Sequence, residues 1–399
     1  MENKRFWKGY ICGILSIVGI LAVLVLFKQW TLPESLTVRQ ETEVLLKLNQ
    51  MSSLIGSKYL EDVDKDALLE GAYAGFAKAV GDKYTRYYTP EEFEAYLEDA
   101  SGTFTGIGVI VQWNEEQQML EILSVVEGGP AEKAGLQAGD LVFSVDGEEM
   151  KDTSMEIVIG RVRGKAGTDV VVGVLREGEE DLLLLTVTRE RIEEDTVASM
   201  MLDDGIGYIQ ISEFDDITPK QFKEALETLQ EQNMKGLILD LRGNPGGRLS
   251  AVVDIADQMV PEGIVTYTLT RDGTREEYTS DGETQVSIPL VTLVDENSAS
   301  ASEILAGALH DYQMGTLIGI RTFGKGIVQT TYSLSDGSGI KVTMARYFTP
   351  NGDFIHGVGI EPDMEVALPE GKTLGEVLGT ESDTQYAAAV REIHRLIEE

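Results

Sequence analysis

The spacing of apolar positions changes character several times along the chain, and each change predicts a different kind of element. Tyr10–Phe27 is an uncharged apolar run of 18 residues, preceded by Lys4, Arg5 and Lys8. That length is near the lower limit for spanning a bilayer. Basic residues on the N-terminal side predict a cytoplasmic N-terminus, with everything after Lys28 outside. The following LVLFKQW is bulky throughout and offers no small-x-small cleavage site, so an uncleaved anchor is expected rather than a signal peptide. From Pro33 to about Ala100, ETEVLLKLNQMSSLIGSKYL and DKDALLEGAYAGFAKAVGDKY carry apolar residues three and four apart, which predicts amphipathic helices. TPEEFEAYLEDASG adds a short helix with Thr89 as N-cap and Pro90 at the first helical position.

From Thr103 to about Thr188 the pattern becomes short β-type runs, GIGVIVQW, MLEILSVV, DLVFSVDG, DVVVGVLR and DLLLLTVTRE, separated by glycine-containing turns. Two short helices are expected among them, near Ala131–Ala134 and Thr153–Arg161, giving a small β-sandwich or barrel. Beyond Gly205, strands alternate with helices through IGYIQI, TPKQFKEALETLQEQ, KGLILDL, RLSAVVDIADQMV, PLVTLVDE, SEILAGALHDYQ and GTLIGI. This alternation predicts a largely parallel sheet flanked by helices. IVQTTYSL and GIKVTMARYFT read as added strands, and TQYAAAVREIHRLIEE as a closing amphipathic helix. The expected layout is a cytoplasmic stub and anchor (1–30), a helical segment (31–100), a β-rich domain (101–192), an α/β core (193–372) and a C-terminal helix (373–399).

Composition narrows the function classes. With 33 Lys and Arg against 68 Asp and Glu, the net charge of −35 repels polyphosphates, so no nucleic-acid partner is expected. The one cysteine, Cys12, lies in the apolar run, and the only histidines are His310, His356 and His394. Neither a disulfide framework nor a thiolate or histidine metal site is expected, and no cofactor is implied.

Candidate chemistry collects in three segments. In VDENSASASEILAGALHDYQ a strand runs into a helix through Ser298, Ser300 and Ser302. Ser300 with Glu303 fits the S-x-x-E capping box, which needs no catalysis. A serine there would also sit at a helix N-terminus, whose free N–H groups stabilise an oxyanion. It needs a base. His310 lies ten residues along the same helix, about 15 Å away at 1.5 Å per residue. His394 belongs to the closing helix, and His356 could return to the site. Lys325, between glycines in TFGKG, is the better candidate, provided burial lowers its pKa; a solvated turn lysine is the plain alternative. Gln329, four residues on, would share its face in an extended chain and could hold the neutral amine, or lie exposed. In LDLRGNPGG, a buried strand enters Gly243–Gly247, where glycine N–H groups could face a ligand; a tight turn is the alternative. A phosphate loop is disfavoured, since GxxxxGK[ST] spacing is missing.

Taken in order, DLRGNPGG, NSASASEILAGALHDYQ and TFGKGIVQ resemble the C-terminal processing peptidase (tail-specific protease) family. That family pairs a serine with a lysine 25 residues later and a glutamine four beyond, which matches Ser300, Lys325 and Gln329 rather than Ser298 or Ser302. The resemblance implies a crotonase/ClpP-like α/β protease core, with the backbone N–H groups of Gly246 and Ala301 as oxyanion donors. The β-rich part looks like a PDZ domain, a module that binds extended C-terminal peptides by strand addition. Gly106, Ile107 and Gly108 match its carboxylate loop. Leu141 and the helix bearing Met155, Ile157 and Val158 are expected to line the groove, and Arg161 and Arg163 of RVRGKAG are candidates for sensing the peptide or linking it to the active site. The terminal helices resemble dimerisation arms of some relatives, so a homodimer is a further expectation. The implied function is a membrane-anchored, extracytoplasmic serine endopeptidase acting on unstructured C-terminal tails. A noncatalytic PDZ scaffold and a crotonase-like acyl-CoA enzyme are the competing readings.

Overall fold

The computed structural model describes residues 36–126, 128–283 and 286–399, so the apolar run Tyr10–Phe27 lies outside the described residues. Among these, no helix is long and apolar enough to cross a membrane. The chain divides after Tyr73 into two units. The first contains the helix Val38–Lys58, opened by a capping box in which the Thr37 hydroxyl accepts from Gln40 N and the Gln40 side chain accepts from Thr37 N. None of its side chains is buried; Leu45, Leu46 and Leu54 are exposed.

The second unit is built on a six-stranded sheet, in the order Val197–Met201, Ile206–Ile211, Gly236–Asp240, Leu290–Val294, Thr316–Gly319, Met364–Glu365. Its first pair is antiparallel and the rest are parallel. The strands Gly236–Asp240 and Leu290–Val294 are buried at every position, as expected for strands of a parallel sheet covered on both faces. The two-residue period divides their side chains. Leu237, Leu239 and Leu290 join the core under the helices Thr218–Glu231, Leu249–Asp257 and Ala301–Asp311, whereas Ile238, Val291 and Leu293 face Ala388, Ala389 and Ile393 of the helix Thr384–Glu398. The closing helix thus spends its apolar face on this sheet.

A second, five-stranded antiparallel sheet lies on the same core. Gly339–Phe348 pairs with Arg86–Tyr88, Ile327–Ser333 and Gly263–Thr270, and Gly263–Thr270 also pairs with Arg275–Ser280. IVQTTYSL and GIKVTMARYFT are the two added strands read from the sequence. The Gly263–Ser280 hairpin and the strand Arg86–Tyr88, inside the segment expected to be helical, were not anticipated. From Tyr88 the chain enters the helix Pro90–Ala100, capped by Thr89 as expected (Glu92 N to Thr89 Oγ1, 3.2 Å).

The β-rich domain is an antiparallel sheet in the order Val109–Asn114, Met119–Val125, Leu141–Val145, Asp169–Leu175, Leu183–Thr188, with the short strand Glu148–Glu149 beside the third. Its helices are Pro130–Ala134 and Met155–Val162. A separate two-stranded ribbon, Thr103–Gly106 with Glu190–Glu193, pairs the segments by which the chain enters and leaves this domain.

Candidate active site

Two of the three serines after Leu290–Val294 are consumed by structure. Ser298 Oγ donates to Leu241 O (2.8 Å) and accepts from Asp295 N (2.9 Å), and Ser302 Oγ donates to Asn244 O (3.0 Å); both residues are fully buried. They fasten the strand-to-helix turn to the neighbouring loop Leu241–Gly247. Ser300 instead lines a cavity of about 680 Å³, with φ 56° and ψ −112°. Holding a non-glycine residue there costs of order 1–3 kcal/mol, which surrounding bonds have to offset.

Those bonds come from two buried side chains that grip Ser300 and Lys325 together. The Glu303 carboxylate accepts from Ser300 N (2.9 Å) and Lys325 N (2.8 Å) on one oxygen, and from Gly324 N (2.7 Å) and Thr322 Oγ1 (2.6 Å) on the other. The Tyr347 hydroxyl lies 3.0 Å from Ser300 O and 2.5 Å from Lys325 O. Glu303 thus ties the two amides and Tyr347 the two carbonyls, so the capping box of the sequence also joins the two loops. Gly326 is required by close approach, since a Cβ there would lie 2.7 Å from His356 N. His356 therefore returns to this loop through its backbone, while its ring packs on Phe354 (centroids 6.0 Å apart).

Lys325 lines the same cavity, its Nζ 5.1 Å from the centre of the Tyr84 ring. Burial holds its pKa below the ordinary lysine value, and Lys341 and Lys83 push the same way against Glu303. Gln329 lines the cavity too, but its amide donates to Ile327 O (3.3 Å). The register shift beside Gln329 puts its extra residue, Met344, in the partner strand Gly339–Phe348, so the strand Ile327–Ser333 itself is not interrupted there.

Gly246 runs directly beneath Ser300. With φ 110°, a Cβ there would lie 2.7 Å from both Ala299 O and Ser300 Cβ, and 3.0 Å from Ala301 N. Its N–H donates to Asn244 Oδ1 (2.8 Å), whose Nδ2 donates to Ile211 O (2.9 Å). Ala301, the first residue of its helix, has an N–H with no intrahelical acceptor. The loop is anchored from below by Arg242, whose side chain is wholly buried. It bonds Asp240 (2.6 Å) and Asp383 (2.8 Å), while Tyr208 donates to Asp240 (2.7 Å). Sequence reasoning missed this network, because Asp383 lies 141 residues from Arg242.

The β-rich domain carries a second cavity, about 330 Å³, lined by Gly106, Ile107 and Gly108 and by Val158, Ile159, Val162 and Arg163 of the second helix and its C-cap. Leu141, Met155 and Arg161 are not among its lining residues. Leu141 is paired on both sides within the sheet, Met155 packs on the domain core, and Arg161 pairs with Glu148 at 2.9 Å. By helical spacing Met155 shares the face of Val158, Ile159 and Val162 but opens the helix one turn earlier, whereas Arg161 points away from that face.

Comparison with known proteins agrees with this architecture. The model of peptidase family S41 matches residues 205–366, that of the PDZ domain 121–176, and that of the activating protease CtpB N-terminal domain 28–92. The carboxyl-terminal-processing protease of Synechocystis sp. is 41% identical over 98% of this chain and 93% of its own. The carboxy-terminal processing protease CtpA of Bacillus subtilis is 37% identical over 81% and 69%. A crystal structure of a putative S41 protease from Bacteroides fragilis shares the fold, with a TM-score of 0.50 at 16% identity over 87% of this chain and 97% of that one. The extent of the likeness to the Synechocystis protein, with both domain matches in order, means that the chain belongs to peptidase family S41, as a PDZ-containing serine-type peptidase of the carboxyl-terminal-processing kind.

Proposed function

We propose that the chain is a membrane-anchored, extracytoplasmic endopeptidase that docks unstructured C-terminal tails in its PDZ groove and cleaves them with a Ser300/Lys325 dyad. The observation that carries this reading is the pairing of Ser300, held in a strained conformation on one cavity wall, with Lys325, whose ammonium form is disfavoured in the same cavity. Neutral Lys325 takes the Ser300 hydroxyl proton as Oγ attacks the scissile carbonyl carbon. The tetrahedral intermediate collapses, Lys325 returns the proton to the leaving amine, and an acyl ester remains on Ser300. Water, deprotonated by Lys325, then attacks the ester carbonyl, and Lys325 hands that proton to Ser300 Oγ as the C–O bond breaks and the new carboxyl terminus leaves.

The Ala301 N–H is suited to the oxyanion, and the Gly246 N–H becomes available once Asn244 Oδ1 releases it. Gln329 joins Lys325 on exchange of its Ile327 bond. In the groove, Val109–Asn114 is an edge strand of the sheet, open to strand addition beside Val158, Ile159 and Val162. Arg163, which lines the groove, is a better peptide sensor than the ion-paired Arg161. The anchor and the external location rest on Tyr10–Phe27 and its basic flank, and a homodimer through the exposed apolar side of Val38–Lys58 completes the reading.

The test uses the full chain in detergent with an unfolded, apolar-tailed substrate. Wild type is expected to cleave, and Ser300→Ala and Lys325→Ala to lose at least about three orders of magnitude in kcat. Equal cleavage by all three would refute the dyad. External protease digesting the PDZ and protease domains on intact spheroplasts checks the topology, and sedimentation equilibrium checks the dimer.

A further inference from the structure

Between the two cavities lies a cluster of carboxylates that the peptidase chemistry does not use. Asp99, near the end of the helix Pro90–Ala100, lines both the PDZ groove and the cavity at Ser300. Glu98 and Glu194 lie on the groove side, Glu213 and Asp215 on the Ser300 side. Asp215 is 4% exposed, and the chain entering the PDZ domain at Gly102 packs on its Cβ. Its backbone N–H and carbonyl are bonded to Thr218, but no donor among the described residues reaches its carboxyl group.

Burial pushes the Asp215 carboxyl up to about 7, and Glu213, Asp99, Glu194 and Asp216 add to the rise. Glu213 is raised for the same reasons, burial first, then Asp99 and Glu194. Three cations on adjoining elements are engaged elsewhere, while Arg163 lines the groove and Lys325 and Lys341 line the Ser300 cavity. Arg248 pairs with Asp216 (2.6 Å), Lys220 lies 3.9 Å from Glu193, and Arg191 donates to Thr103 and Ser101. A carboxylate buried without donors is costly unless a cation faces it. Among the described residues, no cluster of side chains is placed to hold a metal ion. A long, flexible ammonium or guanidinium side chain can instead reach carboxylates that project from separate elements.

A tail whose C-terminus sits in the groove and whose scissile bond sits at Ser300 has to cross Asp99, which the two cavities share. We propose that Asp215 and Glu213, with Asp99, form a subsite for a Lys or Arg side chain in the tail between the docked C-terminus and the scissile bond, and that they disfavour an acidic residue there. This rests on the tail-peptidase reading above.

The test compares unfolded substrates with identical apolar C-termini and a single Lys, Gln or Glu scanned through the intervening tail. At the matching position, kcat/KM is expected to be about tenfold higher for Lys than for Gln and about tenfold lower for Glu, mainly through KM. In the Asp215→Asn, Glu213→Gln double variant the three are expected to agree within about twofold. The same peptides are titrated by fluorescence anisotropy onto Ser300→Ala, which reads the subsite without turnover. Equal Kd for the Lys and Gln peptides at every position, with cleavage by wild type intact, overturns the subsite alone. Tighter binding of the Lys peptide by Ser300→Ala, with no cleavage of any peptide by wild type, supports the subsite and overturns the peptidase reading.

Discussion

Replacing Glu303 by glutamine tests whether the proposed dyad is held by the backbone grip rather than by Ser300 and Lys325 alone. Four donors converge on this buried carboxylate: Ser300 N and Lys325 N on one oxygen, Gly324 N and Thr322 Oγ1 on the other. Glutamine keeps one acceptor oxygen. Turned toward Ser300 and Lys325, it puts its NH₂ against Gly324 N–H, which loses its acceptor, and against the Thr322 hydroxyl, which already accepts from Ile360 N (2.8 Å). The opposite rotamer abandons two backbone N–H groups, so the first is favoured. Bonds to a charged acceptor contribute about 1.5–3 kcal/mol each and neutral ones about 0.5–1.5, so one lost and three weakened bonds cost roughly 5–7 kcal/mol. Removal of a buried charge offsets much of that, and the net change in stability is expected to stay within about 2 kcal/mol. Activity separates the terms better. The Glu303 charge opposes the depression of the Lys325 pKa, so its removal moves the acidic limb of the kcat/KM–pH profile to lower pH. The loosened Gly324–Lys325 backbone lowers kcat at the plateau by about ten- to a hundredfold, equivalent to roughly 1.4–2.7 kcal/mol. A stopped assay from pH 5 to 10, with thermal unfolding as a control for folding, reads both. An unchanged plateau with an unchanged limb would refute the positioning argument.

The remaining predictions concern neighbouring charges and the loop beneath Ser300. Lys341→Gln removes a positive neighbour that depresses the Lys325 pKa, so the acidic limb should move to higher pH, opposite to Glu303→Gln; a profile unmoved by the change would exclude Lys341 as a contributor. Asp215→Asn should stabilise the fold increasingly as pH rises from the ordinary aspartate value of 3.8 through about 7, because charging the buried carboxyl is then avoided. Melting curves at pH 4 and pH 8 check this, and an equal shift at both would contradict it. Gly246→Ala forces a Cβ to 2.7 Å from Ala299 O at φ 110°, and its turnover should fall below about one per cent of wild type as the loop is driven from Ser300. Arg242→Met leaves Asp240 and Asp383 buried without their cation and should cost about 3–5 kcal/mol in denaturant unfolding.

What could be read from the sequence was local. The α/β alternation, the β-rich segment and the cap at Thr89 follow from short-range periods and caps, and the structure contains them. Ser300, Lys325 and Gln329 were selected by motif spacing. The structure adds a separate physical reason for preferring Ser300, since the hydroxyls of Ser298 and Ser302 are bound to Leu241 O and Asn244 O. What could not be read depends on partners remote in sequence. Tyr347 spans Ser300 and Lys325 from a strand of the second sheet, and Arg242 reaches Asp383 across 141 residues. Nor could the sequence show that the Gln329 amide bonds Ile327 O.

Asn244 shows why a motif can locate a site yet leave its working state open. The same DLRGNPGG that marks the loop also supplies the Asn244 side chain, and two residues' separation lets Oδ1 close a tight turn onto Gly246 N. Asn244 cannot swing away freely, being fully buried with Nδ2 held by Ile211 O and its carbonyl accepting from both Ala299 N (3.0 Å) and Ser302 Oγ. Release of the Gly246 N–H is therefore more economical through rotation of the Pro245–Gly246 peptide than through movement of Asn244. That rotation changes the φ of Gly246, a residue whose lack of a Cβ leaves it free to make the change beside Ser300. On this geometry one glycine serves two ends: it lets the loop pass beneath Ser300, and it gives the loop the freedom to turn an N–H toward the oxyanion of the proposed reaction.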